Sequence, residues 1–196
     1  MENLNTHSGL DSSENTFPLE RLVLAAKQGD EVAFGQVYDY MFEKLWRYVA
    51  FRVSSEDIED LVSEIWLKVV QSLKKYTPQK GASFSSWAFR IAHNAVIDYY
   101  RKQKEVLGLS TDENDFFSNL KDPERTPDVL ARLDGEYQDL HQALAQIKPD
   151  HREILQLKFL EGFSNTEIAK ITRKTEGNIR ILQLRALREI KAYLQN

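Results

Sequence analysis

The chain has 196 residues, of which 42% are hydrophobic and 29% charged, and its formal net charge is −4. This length allows one large domain or two small ones, and the composition is ordinary for a globular protein. Cysteine is absent, which excludes disulfides and thiolate metal sites and fits a reducing compartment.

The sequence carries no evident targeting signal. Its first sixteen residues hold three acids, no Lys or Arg and no apolar run, which is the opposite of a signal peptide. No stretch approaches the ~20 apolar residues that a membrane-spanning helix needs. We therefore expect a cytoplasmic protein without a membrane span, in which residues 1–16 form a disordered tail.

Charge is unevenly distributed along the chain. Residues 17–104 hold 11 acids and 13 bases. Residues 105–135 hold 8 acids and 3 bases, and residues 136–196 hold 8 acids and 10 bases. An acidic segment thus separates two mildly basic ones. Such a chain neutralises few DNA phosphates and should bind free DNA weakly, so tight binding would need a larger partner.

Helical periodicity dominates the first basic segment. A short helix is predicted from Leu19 to Gln28, and Asp30 can cap the next, "EVAFGQVYDYMFEKLWRYVAFRV". Ser54 or Ser55 can cap a third helix. Eight apolar residues of that helix follow helical spacing, namely Ile58, Leu61, Val62, Ile65, Trp66, Val69, Val70 and Leu73. A fourth helix is predicted through "FSSWAFRIAHNAVIDYYRKQK", after a loop that contains Pro and Gly.

The acidic segment loses this periodicity. Its sequence, "GLSTDENDFFSNLKDPERTPD", contains two prolines and is typical of an extended linker. The helical pattern resumes near Leu130 and breaks at Pro149. We predict an all-α fold, in which two small helical domains, residues 17–104 and 136–196, are joined by a flexible acidic linker over residues 105–135.

The segment "SNTEIAKITRKTEGNIRILQLRALREI" predicts two helices joined by a tight basic turn. Ser164 and Glu167 match a capping box, Arg173 and Lys174 form the turn, and Thr175 can cap the second helix. The apolar arc of that helix comprises Ile179, Leu182, Ala186, Leu187, Ile190 and Leu194. This arrangement fits a helix-turn-helix, whose second helix enters the DNA major groove. For the pattern alone, an ordinary helical hairpin with solvated basic residues is favoured.

Three segments in this order resemble one known family. They are "EDIEDLVSEIWLKVV", "FSSWAFRIAHNAVIDYYRK" and "LHQALAQIKPDHREILQLKFLEGFSNTEIAKITRKTEGNIRILQLRALREI". Together they resemble the extracytoplasmic-function (ECF) class of bacterial sigma factors over about residues 20–194. The resemblance implies a non-enzymatic protein that binds core RNA polymerase and directs promoter-specific transcription initiation. It implies sigma region 2 at residues 17–104 and sigma region 4 at residues 136–196.

The resemblance implies that the third helix docks on core polymerase. The family motif there is close to D-x-x-Q-E, which Asp60 and Glu64 match, whereas Ser63 stands in place of the glutamine. The implied docking residues are Asp57, Asp60, Leu61 and Glu64. The residues themselves agree, because this helix begins with an excess of acids that a basic partner surface would complement. Acids in a first turn also favour the helix dipole, whatever the function.

The fourth helix and the loop before it are implied to open and read the minus-ten promoter element. Basic and amide side chains interleaved with aromatics suit single-stranded DNA, whose bases stack on aromatic rings. The implied residues are Tyr76, Arg90, His93, Asn94, Arg101 and Lys102. For His93 a solvated surface position is an equal alternative.

The C-terminal domain is implied to read the minus-thirty-five element as duplex DNA. The residues expected at that duplex are Arg173, Lys174, Glu176, Asn178 and Arg180. The partners implied are therefore core RNA polymerase and promoter DNA, both duplex and melted. Many members of the family are held inactive by an anti-sigma factor, and the resemblance admits such a partner here. It also implies that the acidic linker threads toward the polymerase active site.

Two other classes of function compete with this one. A stand-alone helix-turn-helix regulator would bind DNA without polymerase and would need no acidic docking helix. An enzyme is not expected, because the four histidines lack metal-ligand spacing and no glycine-rich phosphate loop or activated nucleophile is evident. We predict no catalytic residue, no metal site and no cofactor.

Overall fold

Helices make up the regular structure of the chain. The computed structural model describes residues 16–106, 126–132, 144 and 146–194. Every regular element within these ranges is a helix, apart from an isolated β-bridge between Gln79 and Ala82. The predicted all-α fold class is confirmed. Residues 1–15 of the predicted tail and most of the predicted linker lie outside the described residues, whereas Thr16, also predicted in the tail, already belongs to the first helix.

Eight α-helices lie within the described ranges. The first four are α1 (Thr16–Lys27), α2 (Glu31–Ala50), α3 (Ile58–Leu73) and α4 (Phe84–Val106), with a 3₁₀ turn at Ser55–Asp57 before α3. The others are α5 (Pro127–Arg132), α6 (Pro149–Leu155), α7 (Asn165–Thr172) and α8 (Glu176–Leu194), and α6 continues as a π-helical turn over Gln156–Leu160. In the described part of the predicted linker, α4 extends to Val106 and a short helix, α5, begins at a proline, as helices often do.

The helices of the N-terminal domain begin where their caps allow. Asp30 accepts the backbone N–H of Ala33 at 2.9 Å and starts α2, as predicted. The predicted cap of α3 differs from the structure, because the hydroxyl of Ser54 donates to the carboxylate of Asp57 rather than accepting a backbone N–H. A 3₁₀ turn then leads into α3, which begins at Ile58.

The predicted apolar stripe of α3 forms the centre of the N-terminal core. Seven of its eight residues are buried, and Val70 is the exception at 44% exposure. This stripe packs against α2 and α4, whose buried residues include Leu45, Tyr48 and Val96. Burial of such side chains stabilises the domain by roughly 1.5–3 kcal/mol each.

The C-terminal domain contains the predicted helix-turn-helix. Ser164 and Glu167 form a reciprocal capping box at the start of α7. Arg173 ends that helix in the left-handed conformation, with φ 56°, and the Thr175 hydroxyl accepts the backbone N–H of Asn178 at 3.2 Å. On the predicted apolar arc of α8, Ile179, Leu182 and Ala186 are buried, but Leu187 is 47% exposed, so the apolar stripe is narrower than predicted.

We expect Ser164→Ala to lower the free energy of unfolding of the protein by about 1 kcal/mol, because the first turn of α7 loses the side chain that accepts its N–H. Urea denaturation followed by circular dichroism measures the change. The matched control is Ser164→Thr, which keeps a hydroxyl that both accepts the N–H of Glu167 and donates to its carboxylate, and it should unfold at nearly the wild-type urea concentration. Equal destabilisation by both variants would contradict the capping interpretation.

Candidate polymerase and nucleic-acid interfaces

The outer face of α3 carries the acidic residues expected to bind a protein partner. Asp60 is exposed, and Glu64 forms an ion pair with Lys68 at 2.7 Å. The hydrogen bond from Lys68 is the main cause that lowers the pKa of Glu64. The carboxylates of Asp60 and Glu64 are therefore both accessible to a basic surface.

Two of the predicted docking residues, Leu61 in α3 and Asp57 in the 3₁₀ turn before it, make contacts within the N-terminal domain. Leu61 is only 4% exposed, and Asp57 accepts a hydrogen bond from the Tyr99 hydroxyl at 2.6 Å. In this conformation they hold the start of α3 in place, while Asp60 and Glu64 face outward. Of the four predicted docking residues, Asp60 and Glu64 are thus the two that face outward.

A cavity of about 160 Å³ lies at the start of α4 and the loop before it. Its lining residues are Lys75, Tyr76, Thr77, Gln79, Ala82, Ser83, Ser86, Trp87, Arg90 and Lys170. The structure therefore brings together two of the predicted minus-ten residues, Tyr76 and Arg90. With Lys75 and Lys170 also on its wall, the cavity presents cationic and aromatic groups to whatever enters it.

Tyr76 is held rigidly at this cavity. Its ring packs against Phe84 and Trp87, with ring centroids 5.3 and 5.1 Å apart, and its hydroxyl donates to the carboxylate of Glu20 at 3.0 Å. Burial, with the nearby Glu20 carboxylate, raises the pKa of Tyr76, so its phenol stays protonated. Trp87 is half-buried: it packs against the core and also lines the cavity.

The other predicted minus-ten residues are spread along α4. Asn94 is half-buried, while Arg101 and Lys102 are exposed about 16 Å further along the helix axis than Arg90, at 1.5 Å per residue. Arg101 also forms an ion pair with Asp98 at 3.2 Å. These side chains are placed to contact a single DNA strand that runs along the helix, but they do not line the cavity with Tyr76 and Arg90.

His93 lies in neither of its two expected settings. It is 4% exposed, and its Nδ1 lies 2.8 Å from a carboxylate oxygen of Glu153 in α6. The side of α4 expected to face DNA or solvent at this position instead faces the C-terminal domain. The assignment of His93 to the minus-ten strand stays a prediction that would require this contact to open.

Glu153 is the centre of a buried polar network between the two domains. The carboxylate is 3% exposed, accepts the Tyr48 hydroxyl at 2.6 Å and lies 3.8 Å from Arg52. Arg52 also donates to Gln156 on the π-helical turn. Burial opposes ionisation of Glu153, but His93, Arg52 and the Tyr48 hydroxyl outweigh it and lower the pKa of the carboxyl to about 2.

A second set of contacts places α7 beside the cavity. The carboxylate of Glu167 accepts the Ser83 hydroxyl at 2.6 Å, and Lys170 donates to the backbone carbonyl of Lys80 at 2.9 Å. Nearby, the rings of Phe89 and Phe163 meet edge to face at 5.0 Å. The C-terminal domain therefore supplies one wall of the cavity.

The predicted minus-thirty-five residues come together around the turn and the first turns of α8. Arg173, Asn178 and Arg180 are exposed, and Glu176 is held by the Thr166 hydroxyl at 2.8 Å. Lys174 lies 3.8 Å from Asp150. The interdomain contacts described above involve α6, α7 and the π-helical turn, so they leave this surface open.

Sequence reasoning missed the residues that join the domains. They include Arg47, Tyr48, Arg52, Glu153, Gln156 and Glu161, and Arg47 pairs with Glu161 at 3.1 Å. Their partners lie about a hundred residues away in the chain, so local periodicity contains no sign of the pairing. The one available signal was a Glu and a Gln within an otherwise apolar stretch, "EILQL".

Two kinds of feature are absent from the described part of the chain. No helix there combines the length and apolar character that crossing a membrane requires. The same residues contain no group of three or more His, Cys, Asp or Glu side chains arranged to hold a metal ion.

The chain matches two protein families in the order that the fold suggests. Residues 37–106 match Sigma-70 region 2, and residues 137–190 match Sigma-70, region 4. Two solved structures share the fold, each with a TM-score of 0.63. One is CnrH in complex with the cytosolic domain of CnrY, at 23% identity over 89% of this chain and 95% of that chain. The other is RpoE with the anti-sigma factor NepR from Bartonella quintana, at 22% identity over 83% and 96%.

Two curated relatives are similar along most of the chain. The ECF RNA polymerase sigma factor BldN of Streptomyces coelicolor is 34% identical over 88% of this chain, a match that spans 64% of BldN. SigX of Bacillus subtilis, also an ECF RNA polymerase sigma factor, is 27% identical over 84% of this chain and 85% of its own length. A stand-alone regulator does not account for the match to region 2. The chain belongs to the ECF RNA polymerase sigma factors, non-enzymatic subunits that direct promoter-specific transcription initiation by RNA polymerase.

Proposed function

We propose that three surfaces of this sigma factor have separate binding roles. The outer face of α3 docks on core RNA polymerase, the cavity and α4 hold the melted minus-ten strand, and the start of α8 reads the minus-thirty-five duplex. Residues 17–104 would act as region 2, residues 105–135 as a connector and residues 136–196 as region 4. The observation that carries this proposal is the open cluster around Arg180 at the start of α8.

The geometry of α8 supports duplex recognition. A helix in the major groove presents its N-terminal residues to base edges, and Asn178 and Arg180 are exposed at that end. An arginine can donate two hydrogen bonds to guanine, and an asparagine can make two with adenine. Arg173 and Lys174, on the preceding turn, are suited to the phosphate backbone, which fixes register without reading sequence.

The cavity beside Tyr76 supports a role in holding a melted strand. A base that leaves the duplex needs an aromatic wall for stacking and polar groups for its edge, and the cavity offers Trp87, Ser86 and Arg90. Arg101 and Lys102 lie further along α4, where they could neutralise phosphates of the same strand. The chemistry of RNA synthesis remains that of the polymerase.

Simultaneous reading of both elements requires the domains to separate. The elements lie about 25 base pairs apart, or about 85 Å along B-form DNA at about 3.4 Å per base pair. In this structure Lys170 of α7 lies 2.9 Å from the carbonyl of Lys80, beside the proposed minus-ten cavity. We infer that the described conformation is a closed state, and that promoter binding uses an open one.

An inhibitory partner and the cellular location belong to the same proposal. The two neighbours with the same fold were solved with the cytosolic domain of CnrY and with the anti-sigma factor NepR. We propose that this chain also accepts an anti-sigma factor, and that it works in the cytoplasm, where core polymerase and promoter DNA are found.

We expect Asp60→Arg to abolish co-purification with core RNA polymerase, because it reverses the charge at the centre of the acidic face. Pull-down with tagged core enzyme measures the loss, and circular dichroism verifies that the fold is retained. Asp39→Arg, an equal charge change at an exposed position of α2, is the control and should co-purify normally. Normal co-purification of the Asp60 variant would remove α3 from the docking assignment.

We expect Arg180→Ala to reduce preference for the cognate minus-thirty-five sequence about tenfold while leaving polymerase binding intact, since a bidentate base contact contributes ~1–3 kcal/mol of discrimination. Competition transcription on paired promoters, cognate and mutated at this element, gives the ratio. Arg188→Ala removes an exposed arginine from the same helix and is the control. An unchanged ratio for the Arg180 variant would contradict the assignment of the recognition face.

We expect Glu153→Gln to shift the protein toward the open state at neutral pH, because the interface loses the ionised group that His93 and Arg52 stabilise. The chain lacks cysteine, so a donor–acceptor dye pair at Gln71→Cys and Lys191→Cys can report the domain separation without further changes. The control is Glu189→Gln, which removes a carboxylate paired with His151 inside the C-terminal domain. An unchanged separation for the Glu153 variant would contradict this role.

The same experiment has a defined pH dependence. The closed state lowers the pKa of Glu153 from its ordinary value of 4.5 to about 2, so closure favours the ionised carboxylate. Its contribution to closure is therefore complete above about pH 4.5 and is lost as the pH falls toward 2. Wild-type protein should open over that range, whereas Glu153→Gln should lack this transition.

A further inference from the structure

The side chain of Arg132 occupies a defined binding site on the N-terminal domain. Its guanidinium carbon lies 3.9 Å from the centre of the Trp46 ring and 5.7 Å from that of Phe42. One guanidinium nitrogen lies 3.1 Å from Glu59, and another lies 3.0 Å from Glu43. Two aromatic rings and two carboxylates thus surround a single cation that comes from the linker.

This site, called here the arginine cage (Phe42, Glu43, Trp46 and Glu59), is organised by contacts of its own. The indole N–H of Trp46 donates to Glu59 at 2.8 Å, which fixes the ring and the carboxylate relative to each other. Trp46 is 2% exposed and anchored in the core, whereas the side chains of Glu43 and Glu59 are 62% and 66% exposed. A rigid floor with two accessible acceptors matches a planar guanidinium better than an ammonium group.

The occupant is held by contacts that are individually weak. Besides Arg132, helix α5 buries Val129, and the backbone N–H of Thr126 donates to the Ser55 hydroxyl at 2.9 Å. Exposed ion pairs are screened by water and salt, and a six-residue helix has little intrinsic stability. Release of α5 from the arginine cage should therefore be easily reversible.

The arginine cage is continuous with the surface proposed to bind polymerase. Glu59 is adjacent to Asp60 at the acidic start of α3, and Glu43 lies on α2 beside it. A basic protein surface that meets Asp60 would also meet the two carboxylates that now hold Arg132. The linker and that surface would compete for the same groups.

Occupancy of the cage also limits how far the domains can move apart. Leu144 belongs to the C-terminal domain, where its carbonyl accepts from Arg152 at 2.9 Å, and it lies twelve residues after Arg132. Twelve residues span at most ~43 Å when fully extended, whereas the thirty-eight from Val106 to Leu144 span up to ~130 Å. Only the longer tether easily accommodates two elements about 85 Å apart.

We propose that the arginine cage is an arginine-binding site, that Arg132 fills it in the free chain, and that an arginine of core RNA polymerase displaces Arg132 on docking. This inference rests on the proposed docking role of α3. Displacement would release α5 and lengthen the tether, so polymerase binding and domain opening would be coupled through one side chain.

The cage itself is tested without polymerase. In full-length ¹⁵N-labelled protein, Arg132→Ala should shift the indole N–H resonance of Trp46, assigned with the help of Trp66→Phe and Trp87→Phe. Millimolar amidated peptide of residues 126–132, added to the Arg132→Ala protein, should restore the resonance, and the same peptide ending in Lys should not. Equal effects of the two peptides, or none, would overturn the arginine-binding site.

Competition is tested by affinity for core polymerase. Arg132→Ala should bind core polymerase more tightly than wild type, because apparent affinity is reduced by the fraction of chains whose cage is free; an occupancy of about four-fifths by Arg132 corresponds to an increase of about fivefold. Glu43→Gln should bind more weakly, while the control Asp39→Asn should match wild type. Once Glu43 and Glu59 are both changed to Gln, the further change Arg132→Ala should not increase the affinity for core polymerase.

The outcomes separate this inference from the docking proposal. If Arg132→Ala binds polymerase no more tightly than wild type, the competition is overturned even where Asp60→Arg abolishes binding. If Asp60→Arg still binds, the docking assignment fails, and the peptide experiment alone then decides whether the cage recognises arginine.

Discussion

The ionised carboxylate of Glu153 is the interaction on which the closed arrangement depends. A carboxylate buried to this degree is costly unless other groups replace the water it has lost. The groups that do so, Tyr48, Arg52 and His93, all belong to the N-terminal domain. Glu153 can therefore stay ionised either against the N-terminal domain or in water. A partly separated arrangement would provide neither set of partners. This makes closure a two-state choice rather than a gradual approach.

The remaining interdomain contacts are of two kinds. Ion pairs and hydrogen bonds such as Arg47–Glu161 and Ser83–Glu167 exchange readily for hydration, whereas the edge-to-face contact of Phe89 and Phe163 is apolar. The buried apolar side chains of the two domains also form one continuous cluster, which includes Ile65 of α3 and Ile179 of α8. Opening therefore exposes apolar surface to water, and contacts that only the open state makes must offset this cost.

Sequence periodicity predicted most of what is local and little of what is long-range. The helices, the caps at Asp30 and Ser164 and the turn at Arg173 depend on residues within a few positions of one another. The side of α4 that carries His93 could not be predicted, because its partner lies sixty residues away. For the same reason the polar face of that helix suggested DNA or solvent, and the shared wall of the cavity, supplied by Lys170, was not anticipated.

The three proposed surfaces differ in accessibility in the closed state, and this difference implies an order of binding events. The start of α8 and the carboxylate of Asp60 are accessible, whereas the cavity beside Tyr76 shares a wall with α7 and the cage beside Asp60 is filled by Arg132. A chain with net charge −4 gains little from DNA alone. The contact available first is therefore the acidic face of α3 with polymerase, and strand capture follows only after α7 has moved away. Promoter recognition would then be restricted to the chain that is already mounted on the enzyme.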